Sequence, residues 1–69
     1  MNLNQLKYVI EIARTRSINK AASNLFVSQS VLSTAIISLE KEIGQPIFIR
    51  SNKGVSLTPF GHTFVSYVT

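Results

Sequence analysis

The tightest constraint on how this chain folds is a helix with both of its ends marked, residues 29–43. Ser28 stands ahead of it as an N-cap, a residue whose hydroxyl takes an otherwise unpaired N–H of the first turn. Gly44 follows it as a residue that readily takes left-handed backbone, and Pro46 two places on forbids continuation. Between those signals Leu32, Ala35, Ile36, Leu39 and Ile43 share one face at about 100° per residue. Such a face needs partners, and the flanking sequence supplies them.

Ser17 reads as the cap of a short second helix over 18–25, with Ile18, Ala21, Ala22 and Leu25 facing inward. Two alanines at adjacent positions let neighbouring helices approach closely, as a small three-helix core requires. A first helix, capped by Asn2 or Asn4, runs to about Thr15 and carries an apolar stripe of Leu6, Val9, Ile10 and Ala13. Leu3 and Tyr8 flank that stripe, and Arg14 and Arg16 suit the negative end of the helix dipole. Phe26 and Val27 form a brief apolar turn between the second and third helices.

Past Pro46 the period changes. Ile47-Phe48-Ile49-Arg50 is β-branched and aromatic, and Val55-Ser56-Leu57-Thr58 alternates apolar with polar. Ser51-Asn52-Lys53-Gly54 lies between them, so the spacing predicts a two-stranded hairpin that must lean on the helices to be stable. Thr58-Pro59 then opens a fourth helix, a cap followed by a first-turn proline. Phe60, Phe64, Val65 and Val68 recur on one side of it, and the pattern is still running at Thr69, as in a fragment cut inside a longer helix. The fold class expected is mainly α: a three-helix core, a two-stranded β element and the start of a further helix.

Composition narrows the function classes. The chain has 69 residues, 45% of them hydrophobic and 14% charged, which is too apolar for a disordered segment. No apolar run approaches the roughly 20 residues of a membrane span, and the N-terminus lacks a signal-peptide order. A cytoplasmic location without membrane association is the expectation. There is no cysteine, and the single histidine, His62, builds no metal site by itself. The only carboxylates are Glu11, Glu40 and Glu42. Glu40 and Glu42, two apart, diverge on a helix and read as solvated surface or as ion-pair partners of the Lys41 region or the hairpin. No nucleophile–base set, phosphate-binding glycine loop or metal spacing is present, so neither enzyme activity nor a cofactor is expected. Seven Lys and Arg against three Glu give +4. That balance suits a polyanionic partner.

The informative junction is 17–43, where a short helix, a tight turn and a longer helix give the helix-turn-helix layout. With Ile36 buried, Ser30, Val31, Thr34, Ser38 and Lys41 point away from the core, and Gln29, Ser33 and Ile37 lie at the margins. An isoleucine at that margin is either half-buried against the first helix, the expectation preferred, or a partner contact. A helix that only packs usually carries Glu and Lys on its free face; this one carries hydroxyls. Short hydroxyl side chains allow close approach to base edges and bond to bases or phosphates, while the Thr34 methyl fits against a thymine methyl. Ser28 and Gln29 open the helix, where free N–H groups favour a phosphate. Arg50, Asn52 and Lys53 make a basic finger at the hairpin, suited to the backbone or the minor groove. A competing class is a protein-interaction module working through Phe60, Phe64, Val65 and Val68 as a helix-pairing seam.

The chain also resembles the LysR-type transcriptional regulators. The resemblance rests on Met1-Asn2-Leu3-Asn4-Gln5-Leu6-Lys7-Tyr8, Ser17-Ile18-Asn19-Lys20-Ala21-Ala22 and Val27-Ser28-Gln29-Ser30-Val31-Leu32-Ser33. It continues through 36–44, Ile47-Phe48 and Gly54-Val55-Ser56-Leu57-Thr58-Pro59-Phe60-Gly61, and so covers essentially the whole chain. It implies a winged helix-turn-helix domain over 1–58 and the start of a linker and dimerisation helix over 59–69. It also implies double-stranded DNA as partner, with contacts at Gln29, Ser30, Val31, Ser33 and Thr34 and at Arg50 and Lys53 or their neighbours. A homodimer through the 59–69 helix follows, with a tetramer open to the full-length protein, two third helices about 34 Å apart, and an inducer bound by a C-terminal domain beyond this chain. Two departures stand out: Ser30 where the family commonly has proline, and Thr34 where it commonly has arginine. The stretch after Thr34, often basic in the family, reads Ala35-Ile36-Ile37-Ser38.

Overall fold

Six elements follow one another in the computed structural model, which describes residues 1–68: α1 (Leu3–Thr15), α2 (Ile18–Leu25), α3 (Gln29–Ile43), β1 (Phe48–Ser51), β2 (Gly54–Leu57) and α4 (Pro59–Val68). Each helix starts where a short polar side chain can cap it. Asn2 accepts from the Gln5 N–H at 2.9 Å while the Gln5 side chain accepts from the Asn2 N–H at 2.9 Å, a reciprocal capping box. Asn2, not Asn4, is therefore the cap. Ser17, Ser28 and Thr58 bond the N–H groups of Lys20, Val31 and Gly61 in the same way. The first three helices end in left-handed residues, Arg16, Phe26 and Gly44.

Ile12, Leu32, Ile36, Leu39, Ile47 and Val9 are fully buried, and Ala21 and Ala22 sit among them. The faces expected for α2 and α3 are the observed ones. That of α1 is rotated from the expected stripe: Val9 and Ile12 form its centre, Leu6, Ile10 and Ala13 are half-buried, and Leu3 is exposed. The reason is that α1 packs against α2, α3 and α4 together, so its buried side is set by three neighbours. Gln5 is buried too, because its side-chain amide donates to the Ala35 carbonyl of α3 at 3.4 Å.

The hairpin is shifted by one residue from the sequence expectation. Ser51 pairs with Gly54, so Asn52 and Lys53 alone form the turn, and Gly54 takes φ 119°. Ile47 lies ahead of β1 and is fully buried. Glu40 explains why. Its carboxylate accepts from the N–H of Ile47 at 2.7 Å and of Phe48 at 3.2 Å, fastening the start of the hairpin to the last turns of α3. The expected solvated or ion-paired role of Glu40 is thus replaced by backbone capping. Glu40→Ala leaves two partly buried N–H groups without that acceptor, and urea unfolding should report a loss of about 1–3 kcal/mol; an unchanged midpoint would remove this role.

The apolar side of α4 is also divided. Phe60, Phe64 and Val65 pack against the core, with the Phe60 and Phe64 rings 5.9 Å apart, while Tyr67 is 88% exposed. The seam expected from Phe60, Phe64, Val65 and Val68 is in large part engaged within the domain. Thr69 of the 59–69 segment lies outside the described residues.

Candidate nucleic-acid interface

The chain direction turns by 107° between α2 and α3. That lies within the 90–120° span of helix-turn-helix pairs. Phe26 makes the turn possible by taking φ 58°, and it stands 94% exposed at the corner. Ser28 then caps α3 through the Val31 N–H at 3.0 Å, and Gln29 donates across the corner to the Asn19 side chain of α2 at 2.8 Å. The first turn of α3 is therefore held at a fixed angle to α2 by its own side chains.

Of the residues singled out in α3, Ser30, Val31, Thr34 and Ser38 line one open groove of about 530 Å³. Its opposite wall is the N-terminal part of α1: Asn2, Asn4, Gln5 and Tyr8, with Ala35 at the floor. These α1 residues were not anticipated from sequence. Local patterning identifies a helix face but gives no sign of which other helix end lies beside it, and the Gln5–Ala35 bond that fixes the pairing spans 30 residues. Ser33 lies outside this groove. Its hydroxyl accepts from Arg50 Nη1 of the wing at 3.4 Å, so the structure brings those two predicted residues together.

The outer face of α3 is thus bounded on one side by the start of α1 and on the other by the hairpin. Arg50 is exposed on β1, and Asn52 and Lys53 are exposed at the turn, where the Lys53 N–H donates to Ser51 Oγ at 3.3 Å. Arg50 shares a face with Val55, its pairing partner. Ile37 departs from expectation. It is 46% exposed and lies on the wing side of α3, because α1 covers the opposite side over Ala35. No acidic side chain lies among residues 29–39 of α3: Glu40 is turned to the hairpin backbone, Glu11 bonds Arg14 and Asn24, and Glu42, exposed one turn past Ser38, pairs with the Met1 ammonium group. The hydrogen bond from Arg14, with help from Asn24, holds the Glu11 carboxyl below its usual range and raises Arg14 in turn. Among the described residues no cluster of His, Cys, Asp or Glu is suited to a metal ion, and no single helix is long and apolar enough to cross a membrane.

The sequence model for bacterial regulatory helix-turn-helix proteins of the lysR family matches residues 3–62. The chain belongs to the LysR family. Among curated relatives, the uncharacterized HTH-type transcriptional regulator YcgK of Bacillus subtilis is 43% identical over 65 residues, covering 94% of this chain and 20% of the relative. BudR of Klebsiella aerogenes, an HTH-type transcriptional regulator, is 44% identical over 64 residues, covering 93% and 45%. The chain therefore spans less than half the length of these LysR-family relatives. Among solved structures, the BenM DNA-binding domain in complex with catB site 1 DNA superposes at a TM-score of 0.95 with 37% identity, covering 99% of this chain and 76% of that one. The CbnR DNA-binding domain–DNA complex gives 0.95 and 35%, covering 99% and 78%. The winged helix-turn-helix fold expected from the sequence is the fold of these LysR-family domains.

Proposed function

We propose that this chain is the DNA-binding part of a LysR-type transcriptional regulator and binds duplex DNA in a sequence-specific way. The observation that carries the reading is the outer face of α3 over residues 29–38, hydroxyl-rich and without an acid, exposed between the start of α1 and a basic wing. Two LysR-family domains of the same fold were solved on DNA, which supports it. In this reading α3 enters the major groove and the wing tip lies on the backbone or in the minor groove.

Roles follow from chemistry. Ser28 and Gln29, at the start of α3, offer hydrogen bonds to a phosphate. Ser30, Ser33, Thr34 and Ser38 present hydroxyls to base edges or phosphates, and Val31 and Thr34 present methyl groups. Arg50, Asn52 and Lys53 engage the sugar–phosphate backbone. Residues 1–58 act as the DNA-binding domain, and residues 59–69 begin a helix that pairs two copies of the whole regulator. The inducer belongs to a C-terminal domain beyond Thr69. The reaction class is binding without catalysis, needing no cofactor in this part of the protein, and the cytoplasm is the compartment proposed.

Selection of binding sites from random duplex DNA, followed by affinity measurement, tests the proposal. A selected duplex should bind at least about a thousand-fold more tightly than scrambled DNA; equal affinities would reduce the activity to nonspecific polyanion binding. Thr34→Ala should relax the preference at one or two base pairs while leaving the dependence on salt unchanged, since the residue carries no charge. A changed salt slope in that variant would assign Thr34 to the phosphates instead.

A further inference from the structure

Ile37 lies in a row on α3 with Ser33 and Glu40, spaced i, i+4 and i+7 along one side of the helix. Both neighbours in that row are tied to the wing: Ser33 through Arg50, and Glu40 through the backbone of Ile47 and Phe48. Ile37, between them, is not covered by the wing and remains 46% exposed. Measured from Ile36 at about 100° per residue, Ile37 stands at roughly 100°, Thr34 at about 160° and Val31 at about 220°. The three are spaced i, i+3 and i+6, a diagonal row of methyl-bearing side chains across the free face. Val31 is itself 50% exposed and borders the α1 groove, so Ile37 and Val31 mark the two margins with Thr34 at the centre.

The polar groups around this row are the hydroxyls of Ser30, Ser33 and Ser38. The free face carries no arginine, lysine, asparagine or glutamine between Ser30 and Ser38, the side chains that read guanine or adenine through paired bonds. In the major groove, thymine alone among the bases presents a methyl group. An isoleucine desolvates that methyl and is itself desolvated, and it rejects the polar exocyclic groups that other bases present there. Resting on the DNA-binding reading above, we infer that Ile37 is a base-reading residue that recognises a thymine C5-methyl at the wing-side edge of the half-site. The exposed isoleucine is thereby a specificity determinant.

The test uses duplexes selected by this chain from a random-sequence library, resynthesised with deoxyuridine in place of one thymidine at a time. This change removes the methyl and preserves base pairing. At one thymine the wild-type chain should lose about four-fold in affinity, the value of one buried methyl. Ile37→Ala should bind more weakly to the thymine duplex and be indifferent to deoxyuridine at that same position. Thermal melting of the variant confirms its fold, and the wild-type series is informative without it. Indifference of the wild-type chain to every deoxyuridine overturns the inference, as does a deoxyuridine penalty that survives in Ile37→Ala at every position. Failure to select any duplex over random DNA overturns the sequence-specific reading itself, a result distinct from both.

Discussion

Gly61→Ala should lower the stability of the domain by about 3 kcal/mol, a large fraction of what so small a chain has. In an ordinary helix this exchange has the opposite sign, because alanine restricts the unfolded chain and favours the helix by up to about 1 kcal/mol. Space decides it here. A Cβ on Gly61 would fall 2.1 Å from the Ile47 carbonyl oxygen and 3.1 Å from both the Ile47 carbonyl carbon and Leu57 Cδ2. The Ile47 carbonyl cannot simply withdraw. It accepts from the Thr58 N–H at 3.0 Å, and the Ile47 side chain is fully buried. Gly61 cannot withdraw either, since its N–H donates to Thr58 Oγ1 at 2.8 Å, and that hydroxyl sits 2.8 Å from the Pro46 carbonyl. The start of α4 is thus pinned onto the segment between α3 and the wing. Urea unfolding reads the effect, with a drop in midpoint at unchanged slope. Gly44→Ala is the comparison: nothing lies within 4 Å, and only the φ of 85° opposes the change, at about 1–2 kcal/mol. A Gly61→Ala protein more stable than wild type would mean that α4 does not lie on Ile47.

The contrast between these glycines also marks how far the sequence is legible. Gly44 announces itself, because a glycine two places before proline at the end of a periodic helix is a local signal. Gly61 does not, because its partner carbonyl is 14 residues away and only the packed structure brings them together. The same division runs through the fold. Caps at Ser17, Ser28 and Thr58 and the α3 face are written in adjacent residues and are found where the local pattern puts them, and the wing is found within one residue of it. The buried side of α1 is decided by three distant helices, so the stripe through Leu6 and Ile10 misses Ile12. Glu40 carries no local sign that its carboxylate will hold the first N–H groups of the wing. In the candidate site, spacing alone identifies Ser30, Val31, Thr34 and Ser38 as one surface. The groove wall contributed by Asn4 and Tyr8 and the exposure of Ile37 depend on where α1 docks.

Arg50→Ala with Lys53→Ala should weaken binding to a selected duplex by the order of a hundred-fold. Each charge-assisted bond to a phosphate contributes about 1.5 kcal/mol or more, and every 1.4 kcal/mol is ten-fold. The reason to place so much affinity in two side chains is the distribution of charge. The outer face of α3 has no cation before Lys41, and Arg14 is already bonded to Glu11, whereas Arg50 and Lys53 stand exposed on the wing. Arg50 is moreover held beside α3 by Ser33, so a phosphate at the edge of the groove meets a guanidinium already in position. The signature is in salt rather than in affinity alone. With two fewer phosphates neutralised, the plot of log affinity against log salt should flatten by about 1.8, that is 0.9 for each. Both side chains are exposed, so the unfolding free energy from urea titration should change by no more than about 0.5 kcal/mol. Thr34→Ala and Ile37→Ala, by contrast, should give lines parallel to wild type with altered sequence preference. Parallel lines for the double wing variant would shift the electrostatic share to Lys7, Lys20 or Lys41, and would leave the wing with a structural role through the Arg50–Ser33 contact.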